Sequence, residues 1–170
     1  ASADIDLEFL GFEISGSSME TTQTLQIDQG IKLTGRNEIR LSNNGNLVIN
    51  GGTLSSLRWV DIQPGGILQG NGRIEASLYN DGIVSTSGKT PLEVSTDYYE
   101  TMGARLRVSI ADDTSTGLKV SGKAILAGTL DIARSDLSAK ANRPYTILTA
   151  RQIEGTFRNM NQRVTDGDDQ

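Results

Sequence analysis

Aromatic residues are the side chains of this sequence best suited to binding a ligand. Trp59 is the only tryptophan, and Tyr79 and the adjacent pair Tyr98 and Tyr99 follow it along the chain. Indole and phenol rings offer flat apolar faces with a polar tip, which suits them to the apolar faces of pyranose sugars. We therefore predict ligand-binding roles for Trp59, Tyr79, Tyr98 and Tyr99, as a carbohydrate platform on an outer surface.

The orientation of these rings follows from strand geometry. In the stretch SLRWVDI, Val60 and Ile62 share one face, so Trp59 falls on the other face and is predicted to point outward. Tyr98 and Tyr99 are neighbours in a strand, so only one of them can point outward. The competing interpretation is structural, with Trp59 covered by a neighbouring segment and each tyrosine partly buried with a wet hydroxyl.

The carboxylates are too scattered to indicate catalysis. They gather near the N-terminus, in one loop-like pair and at the C-terminus, whereas the middle of the chain holds only isolated acids: Asp4, Asp6, Glu8 and Glu13; Asp112 and Asp113; Asp166, Asp168 and Asp169; Asp61, Glu75 and Asp81. Carbohydrate-cleaving enzymes pair two carboxylates across the scissile bond. We predict no catalytic residue, no metal site and no cofactor, and we expect the protein not to be an enzyme.

Composition excludes several other classes of site. The chain has no histidine and no cysteine, which removes Ser-His-Asp triads, thiol nucleophiles, zinc-thiolate sites and disulfides. The net charge is −5, and no basic stripe is visible, so nucleic acid is not an expected partner. Arg36, Arg40, Arg58 and Arg73 lie on successive stretches. They either form a basic ladder for an acidic polysaccharide or pair with Glu38 and Glu75 on the wall.

The apolar pattern that must position these residues has a period of two almost throughout. DIDLEFLGFEI, TLQIDQGIKL and LRWVDIQPGGIL all alternate in this way, which predicts short β-strands. The best helical candidate is SDLSAKAN at 135–142, of two turns at most. Glycine is abundant, at 19 of 170 residues, and it supplies the tight turns that such a chain needs.

The turns recur in a degenerate repeat. We align Gly30, Gly45, Gly65 or Gly66, and Gly82 as one kind of turn, spaced by about 15 to 21 residues, and a second set as the other: Gly35, Gly51 or Gly52, and Gly70 or Gly72. A period-two pattern within a repeat of this size is typical of a β-solenoid, whose stacked coils line the interior with aliphatic columns. We predict an all-β, right-handed parallel β-helix in which Leu25, Leu41 and Ile62 share a column. The alternative is an antiparallel β-sandwich.

Changes in rhythm predict the organisation of the chain. We expect an N-terminal strand or cap at 1–24, β-helix rungs at 25–94, C-terminal rungs with a cap at 95–163, and an acidic linker at 164–170. From about residue 95 the alternating runs lengthen, which favours a modified region that closes the core.

Four stretches in succession carry a family resemblance: GILQGNGRIEASLYNDGIVSTSG, YYETMGARLRVSIAD, TGLKVSGKAILAGTLDIA and RPYTILTARQIEGTFRNM. In this order, over 66–160, they resemble the distal passenger region of bacterial autotransporters and related secreted β-helix proteins. One departure is STSGKTPLEVS, which stands where that family has a proline-glycine stretch. The resemblance implies a β-helical stalk at a bacterial cell surface or outside the cell.

The resulting functional expectation is a non-catalytic module of a larger surface or secreted polypeptide, acting as an adhesin or stalk scaffold. The alternative is a carbohydrate-binding module attached to a polysaccharide-degrading enzyme, and a third is a catalytic fragment of a lyase or hydrolase. The expected partner is a polysaccharide or a cell-surface glycan. Ligand identity and oligomeric state stay open at this point.

Overall fold

The computed structural model describes residues 5–15, 22–87, 90–111, 114–115, 117–134 and 145–160. These residues form seventeen strands: β1 (Ile5–Phe9), β2 (Phe12–Ser15), β3 (Gln23–Asp28), β4 (Ile31–Gly35), β5 (Ile39–Ser42), β6 (Gly45–Ile62), β7 (Ile67–Asn80), β8 (Ile83–Thr86), β9 (Leu92–Val94), β10 (Tyr98–Glu100), β11 (Arg105–Ala111), β12 (Thr114–Ser115), β13 (Leu118–Val120), β14 (Lys123–Leu126), β15 (Thr129–Arg134), β16 (Leu148–Thr149) and β17 (Gln152–Gly155). Nowhere in this described part is there a helix with the length and hydropathy of a membrane span.

The strands wind into a β-solenoid of about five turns, which confirms the predicted parallel coils. Each strand pairs in parallel with the strand one coil away, and within the described ranges only β11 and β12 pair in antiparallel fashion. A β-sandwich of opposed antiparallel sheets is therefore excluded. The coil length varies, from 16 residues between the paired Ile67 and Ile83 to 30 between the paired Leu118 and Leu148.

Three faces make up the solenoid wall. The first face contains β3, the start of β6, the start of β7, β8, β11 and β15. The second contains β1, β4, the middle of β6, the middle of β7, β9, β13 and β16. The third contains β2, β5, the end of β6, the end of β7, β10, β14 and β17.

The core is a bundle of aliphatic columns that run along the solenoid. On the first face the fully buried Leu47, Leu68, Val84 and Leu106 stand one above another in register. Leu54, Ile74 and Val94 do the same on the second face. Alternation turns every second side chain inward. Within each column, in-register parallel pairing places an inward side chain beside the inward side chain of the neighbouring coil. Burial of this apolar surface is what holds the coils together.

Glycine lines one corner, where a Cβ atom would meet the backbone of the neighbouring coil. Gly45, Gly66, Gly82 and Gly128 each stand at the beginning of a first-face strand. A Cβ at Gly82 would lie 2.5 Å from the carbonyl oxygen of Gly66, which no side chain can occupy without moving a coil. The predicted alignment of Gly45, Gly66 and Gly82 is confirmed.

The predicted placement of Gly30 is wrong, and so is that of Leu25. Asp28 pairs with both Asn50 and Gly51, so Gly30 belongs to the corner between the first and second faces rather than to the Gly45 corner. Leu25 accordingly pairs with Leu47 in the first face. Leu41 and Ile62 do share a column, on the third face. The error came from aligning one coil by its glycine, which shifted that coil by one face.

The coils continue beyond residue 94 with the same parallel pairing. Val94 pairs with Val120, and Leu126 pairs with Gly155 near the end of the described chain. The rungs therefore extend through most of the segment predicted as C-terminal rungs and cap. The helical candidate at 135–142 and the acidic linker at 164–170 lie outside the described residues.

Candidate functional site

Two of the predicted aromatic residues stack on the outside of the third face. Asp61, Tyr79 and Tyr99 occupy consecutive positions in one outward column, because Asp61 pairs with Tyr79 and Tyr79 pairs with Tyr99. The two tyrosine rings lie 4.7 Å apart between centroids and are tilted by only 8°. That separation matches the spacing of about 4.8 Å between neighbouring strands. The rings therefore face each other along the solenoid, and their shared faces are closed to a ligand.

Trp59 completes an aromatic row next to this stack. Its strand neighbours Val60 and Ile62 are buried, and Trp59 itself is half-buried on the outer side, as the alternation predicts. The indole ring lies 6.2 Å from the Tyr79 ring at an angle of 75°, an edge-to-face contact. The Arg58 guanidinium lies 5.6 Å from the centre of the indole ring, within the range of a cation–π contact. We call Trp59, Tyr79 and Tyr99 the aromatic row.

Tyr98 does not belong to this row, which corrects its predicted ligand-binding role. Its side chain is fully buried, in the inner column between Leu78 and Ala124, and cannot reach a ligand on the wall. The Tyr98 hydroxyl donates to Glu100 Oε1 at 2.9 Å and accepts from Asn80 Nδ2 at 3.0 Å. Burial raises the pKa of Tyr98 well above its usual value, so the phenol stays neutral.

A groove of about 480 Å³ runs beside the aromatic row across three coils. The residues around it come from the ends of the third-face strands and the following corner: Trp59, Asp61, Gln63, Pro64, Tyr79, Asn80, Asp81, Tyr99, Glu100 and Thr101. No lysine or arginine is among the described residues that line it. The groove thus combines aromatic carbon with the carboxylates of Asp61 and Asp81, and with Glu100, which is buried.

Hydrogen bonds hold the polar lining in place. Gln63 Nε2 donates to Asp61 Oδ2 at 3.1 Å, and the Thr101 hydroxyl donates to Asp81 Oδ1. The Tyr99 hydroxyl donates to Asp97 Oδ2 at 3.2 Å. Burial, together with this bond to Asp97, raises the pKa of Tyr99. The Tyr99 ring and the carboxylates of Asp61 and Asp81 are therefore held in place before any ligand arrives, which lowers the entropy lost on binding.

The remaining charged residues of the wall mostly pair with one another. Arg36 contacts Glu8 at 2.6 Å, and Arg40 contacts Glu38 at 2.5 Å. Arg73 contacts Glu75 at 3.3 Å, and Arg58 lies against Trp59. Arg40 and Arg73 thus pair with Glu38 and Glu75 as the paired interpretation states, whereas Arg36 pairs with Glu8 and Arg58 contacts an aromatic ring. The acidic groups Asp112–Asp113 and Asp166 to Asp169 lie outside the described residues, and no acidic cluster in the described ranges has metal-binding geometry.

Sequence reasoning missed a buried polar network beneath the groove. Asn80 and Glu100 point inward, and Glu100 Oε2 accepts from the backbone N–H groups of Ala127 and Gly128 at 3.2 and 3.1 Å. Burial raises the pKa of Glu100, against the lowering effect of these hydrogen bonds. The signal was available, since Asn80 and Glu100 each stand two residues after an inward residue. Their polar types argued for the surface, and the period of two was the better guide.

Comparisons with protein-family models, with curated proteins and with solved structures find no match to this chain. The geometry of the wall therefore carries the functional argument.

Proposed function

We propose that this chain is a non-catalytic β-helical module of a bacterial surface or secreted protein, acting as an adhesin or stalk scaffold. The proposal rests on the different roles of the inward and outward side chains of each strand. Inward side chains build continuous aliphatic columns, and outward side chains stand in rows at strand spacing. A rod of this kind presents side chains at fixed intervals, which suits contact with an extended partner.

The carboxylates support the non-catalytic part of the proposal. A general acid in a glycosidase needs a raised pKa and an open path to the substrate oxygen. Burial raises the pKa of Glu100, yet this carboxylate points into the core with both oxygens engaged in structural hydrogen bonds. Asp61 and Asp81 face the groove, and each already accepts a hydrogen bond from a neighbouring side chain. Release of new reducing ends from any polysaccharide by the purified chain would contradict the proposal.

The proposed location, at the cell surface or outside the cell, can be tested separately. Antibodies raised against the folded chain should label intact cells of the source organism, or detect the protein in the culture medium. The control is a cytoplasmic marker, which must stay unlabelled in the same cells. Labelling that requires permeabilised cells would contradict placement at the surface or outside the cell.

The second candidate function, carbohydrate binding, is favoured by the groove beside the aromatic row. Trp59 and Tyr79 meet nearly at right angles there, next to two carboxylates that can accept hydrogen bonds from sugar hydroxyls. This arrangement suits a glycan that lies along the groove, with Trp59 supplying apolar contact and the tyrosines contributing ring edges. The proposed site consists of Trp59, Tyr79 and Tyr99, with Asp61 and Asp81.

A glycan array tests this candidate. The intact chain should bind at least one glycan, and Trp59→Ala and Tyr99→Ala should each weaken that binding at least tenfold. Leu57→Ala is the matched control, because Leu57 is a 74 % exposed apolar residue two positions from Trp59 that does not line the groove. Equal losses in all three variants, or no binding of any glycan by the intact chain, would refute a binding role for the row.

A further inference from the structure

The charges around the groove indicate which glycans it accepts. Asp61 and Asp81 both line it, and lysine and arginine are missing from its described lining. Arg40 and Lys123, two cations close to residues of the groove, already form ion pairs. Arg40 Nη2 contacts Glu38 Oε1 at 2.5 Å, while its Nε lies 3.6 Å from Asp61 Oδ2. Lys123, near Tyr99, contacts Glu154 at 2.8 Å.

We propose that the groove selects uncharged glycans over acidic ones, with hydroxyl groups of the sugar donating to Asp61 and Asp81. This inference rests on the proposed glycan-binding role and specifies its ligand class. A carboxylate accepts hydrogen bonds but donates none, so it matches a polyol. A uronate or sulfate in the same place would face the carboxylates of Asp61 and Asp81, and only Asp61 has a basic side chain, Arg40, in ion-pair contact.

The aromatic row argues against a cationic sugar as the preferred ligand. Cations bind the negative faces of aromatic rings. The Tyr79 and Tyr99 rings cover one face of each other, and the Arg58 guanidinium already lies over the Trp59 ring. The edge of an aromatic ring carries the positive end of the quadrupole, which repels an ammonium group. Neutral hydroxyl and C–H groups are the ligand chemistry that both the carboxylates and the row accommodate.

A matched pair of ligands tests the selection. The best uncharged oligosaccharide from the array is oxidised at its primary hydroxyls, which converts C6 alcohols into carboxylates and leaves the backbone unchanged. Titration calorimetry with the intact chain should give a Kd at least tenfold weaker for the oxidised form. The double variant Asp61→Asn, Asp81→Asn should narrow that ratio to below threefold, with its melting temperature measured to confirm folding.

Each of the other outcomes would overturn one part of the proposal. Equal or tighter binding of the oxidised glycan, still sensitive to Trp59→Ala, would overturn the selection and leave glycan binding intact. A glucosamine oligomer of equal length that binds more than tenfold tighter than the uncharged one would show that the groove prefers cations. A selectivity ratio that the double variant leaves unchanged would remove Asp61 and Asp81 from the mechanism. If no glycan binds at all, the proposed binding function itself fails.

Discussion

The third face has one inner column that changes character half-way along the solenoid. In the earlier coils it consists of Ile14, Leu41 and Ile62, all buried and aliphatic. In the next two coils the same column continues as Asn80 and Glu100, which are buried just as deeply. The two halves share backbone, register and burial, so the comparison isolates the effect of side-chain chemistry.

The difference shows how a solenoid core accepts polar groups. The aliphatic half needs only side chains of complementary shape, whereas every polar atom of the later half needs a hydrogen-bond partner. Asn80, Tyr98 and Glu100 satisfy one another, and Glu100 also accepts from the backbone of the coil that follows. The network therefore links three successive coils through directional bonds, in a place where the aliphatic half links them through contact alone.

The largest effect should come from breaking an aliphatic column. Leu54 is fully buried between Leu33 and Ile74, and Leu54→Ala should lower the free energy of unfolding by about 3–5 kcal/mol. Urea denaturation measures the change. Leu57→Ala removes the same atoms from an exposed position and should stay within about 0.5 kcal/mol of the original chain. Equal losses in the two variants would contradict the assignment of inner and outer positions.

The polar network should be the next most sensitive element. Glu100→Ala leaves the Tyr98 hydroxyl and the N–H groups of Ala127 and Gly128 without their acceptor, and we expect a loss of about 2–3 kcal/mol. Glu93→Ala is the control on the outer wall, where Glu93 contacts Lys119 at 2.8 Å, and its effect should be below about 1 kcal/mol. A loss at Glu100 no greater than that at Glu93 would mean that the network contributes nothing beyond a surface ion pair.

A third substitution should stabilise the protein. Thr86 is fully buried on the first face, and its hydroxyl has no hydrogen-bond partner. Thr86→Val keeps the shape and removes the unpaired group, so we expect a gain of about 1 kcal/mol in thermal or urea unfolding. Val108→Thr, at the next position of the same column, is the converse change and should destabilise. A loss of stability in Thr86→Val would show that the hydroxyl is satisfied in solution.

The smallest expected effect concerns pH. The pKa of Glu100 is raised from its ordinary value of 4.5, chiefly by burial, so the folded chain holds this proton more tightly than the unfolded chain. The contribution of the Glu100 carboxyl group to the free energy of unfolding is therefore complete below pH 4.5 and decreases as the pH rises through the raised pKa. Glu100→Gln cannot titrate. The free energy of unfolding of the original chain minus that of this variant should therefore decline from pH 4 towards neutrality. A difference that stays flat or rises with pH would contradict the raised pKa of Glu100.

Sequence reasoning reached the architecture because its signals are local and repeated. Alternation identified the strands and placed Trp59 outside, and the recurrence of Gly45, Gly66 and Gly82 identified the coils. It failed where Leu25 had to be assigned to a face. Alignment of its coil by Gly30 placed Leu25 with Leu41, whereas Leu25 pairs with Leu47 in the first face. Pattern alone does not reveal such an error, since both alignments alternate equally well.

Only part of the candidate site could be predicted from the sequence, because the rest depends on the register between neighbouring coils. Adjacency of Tyr98 and Tyr99 established that one of them faces outward, but the choice depends on the registers of Leu78 and Ala124 in neighbouring coils. Glu100 was missed because a carboxylate is ordinarily a surface group. Only its partners explain its burial, and two of them come from a turn that lies 27 and 28 residues later in the chain.

The corner of Gly45, Gly66, Gly82 and Gly128 has a mechanical consequence. A Cβ atom on Gly82 would lie 2.5 Å from the carbonyl oxygen of Gly66 in the neighbouring coil. A side chain at this corner, even a methyl group, should therefore act as a wedge that opens the stack on one side and bends the rod away from the corner.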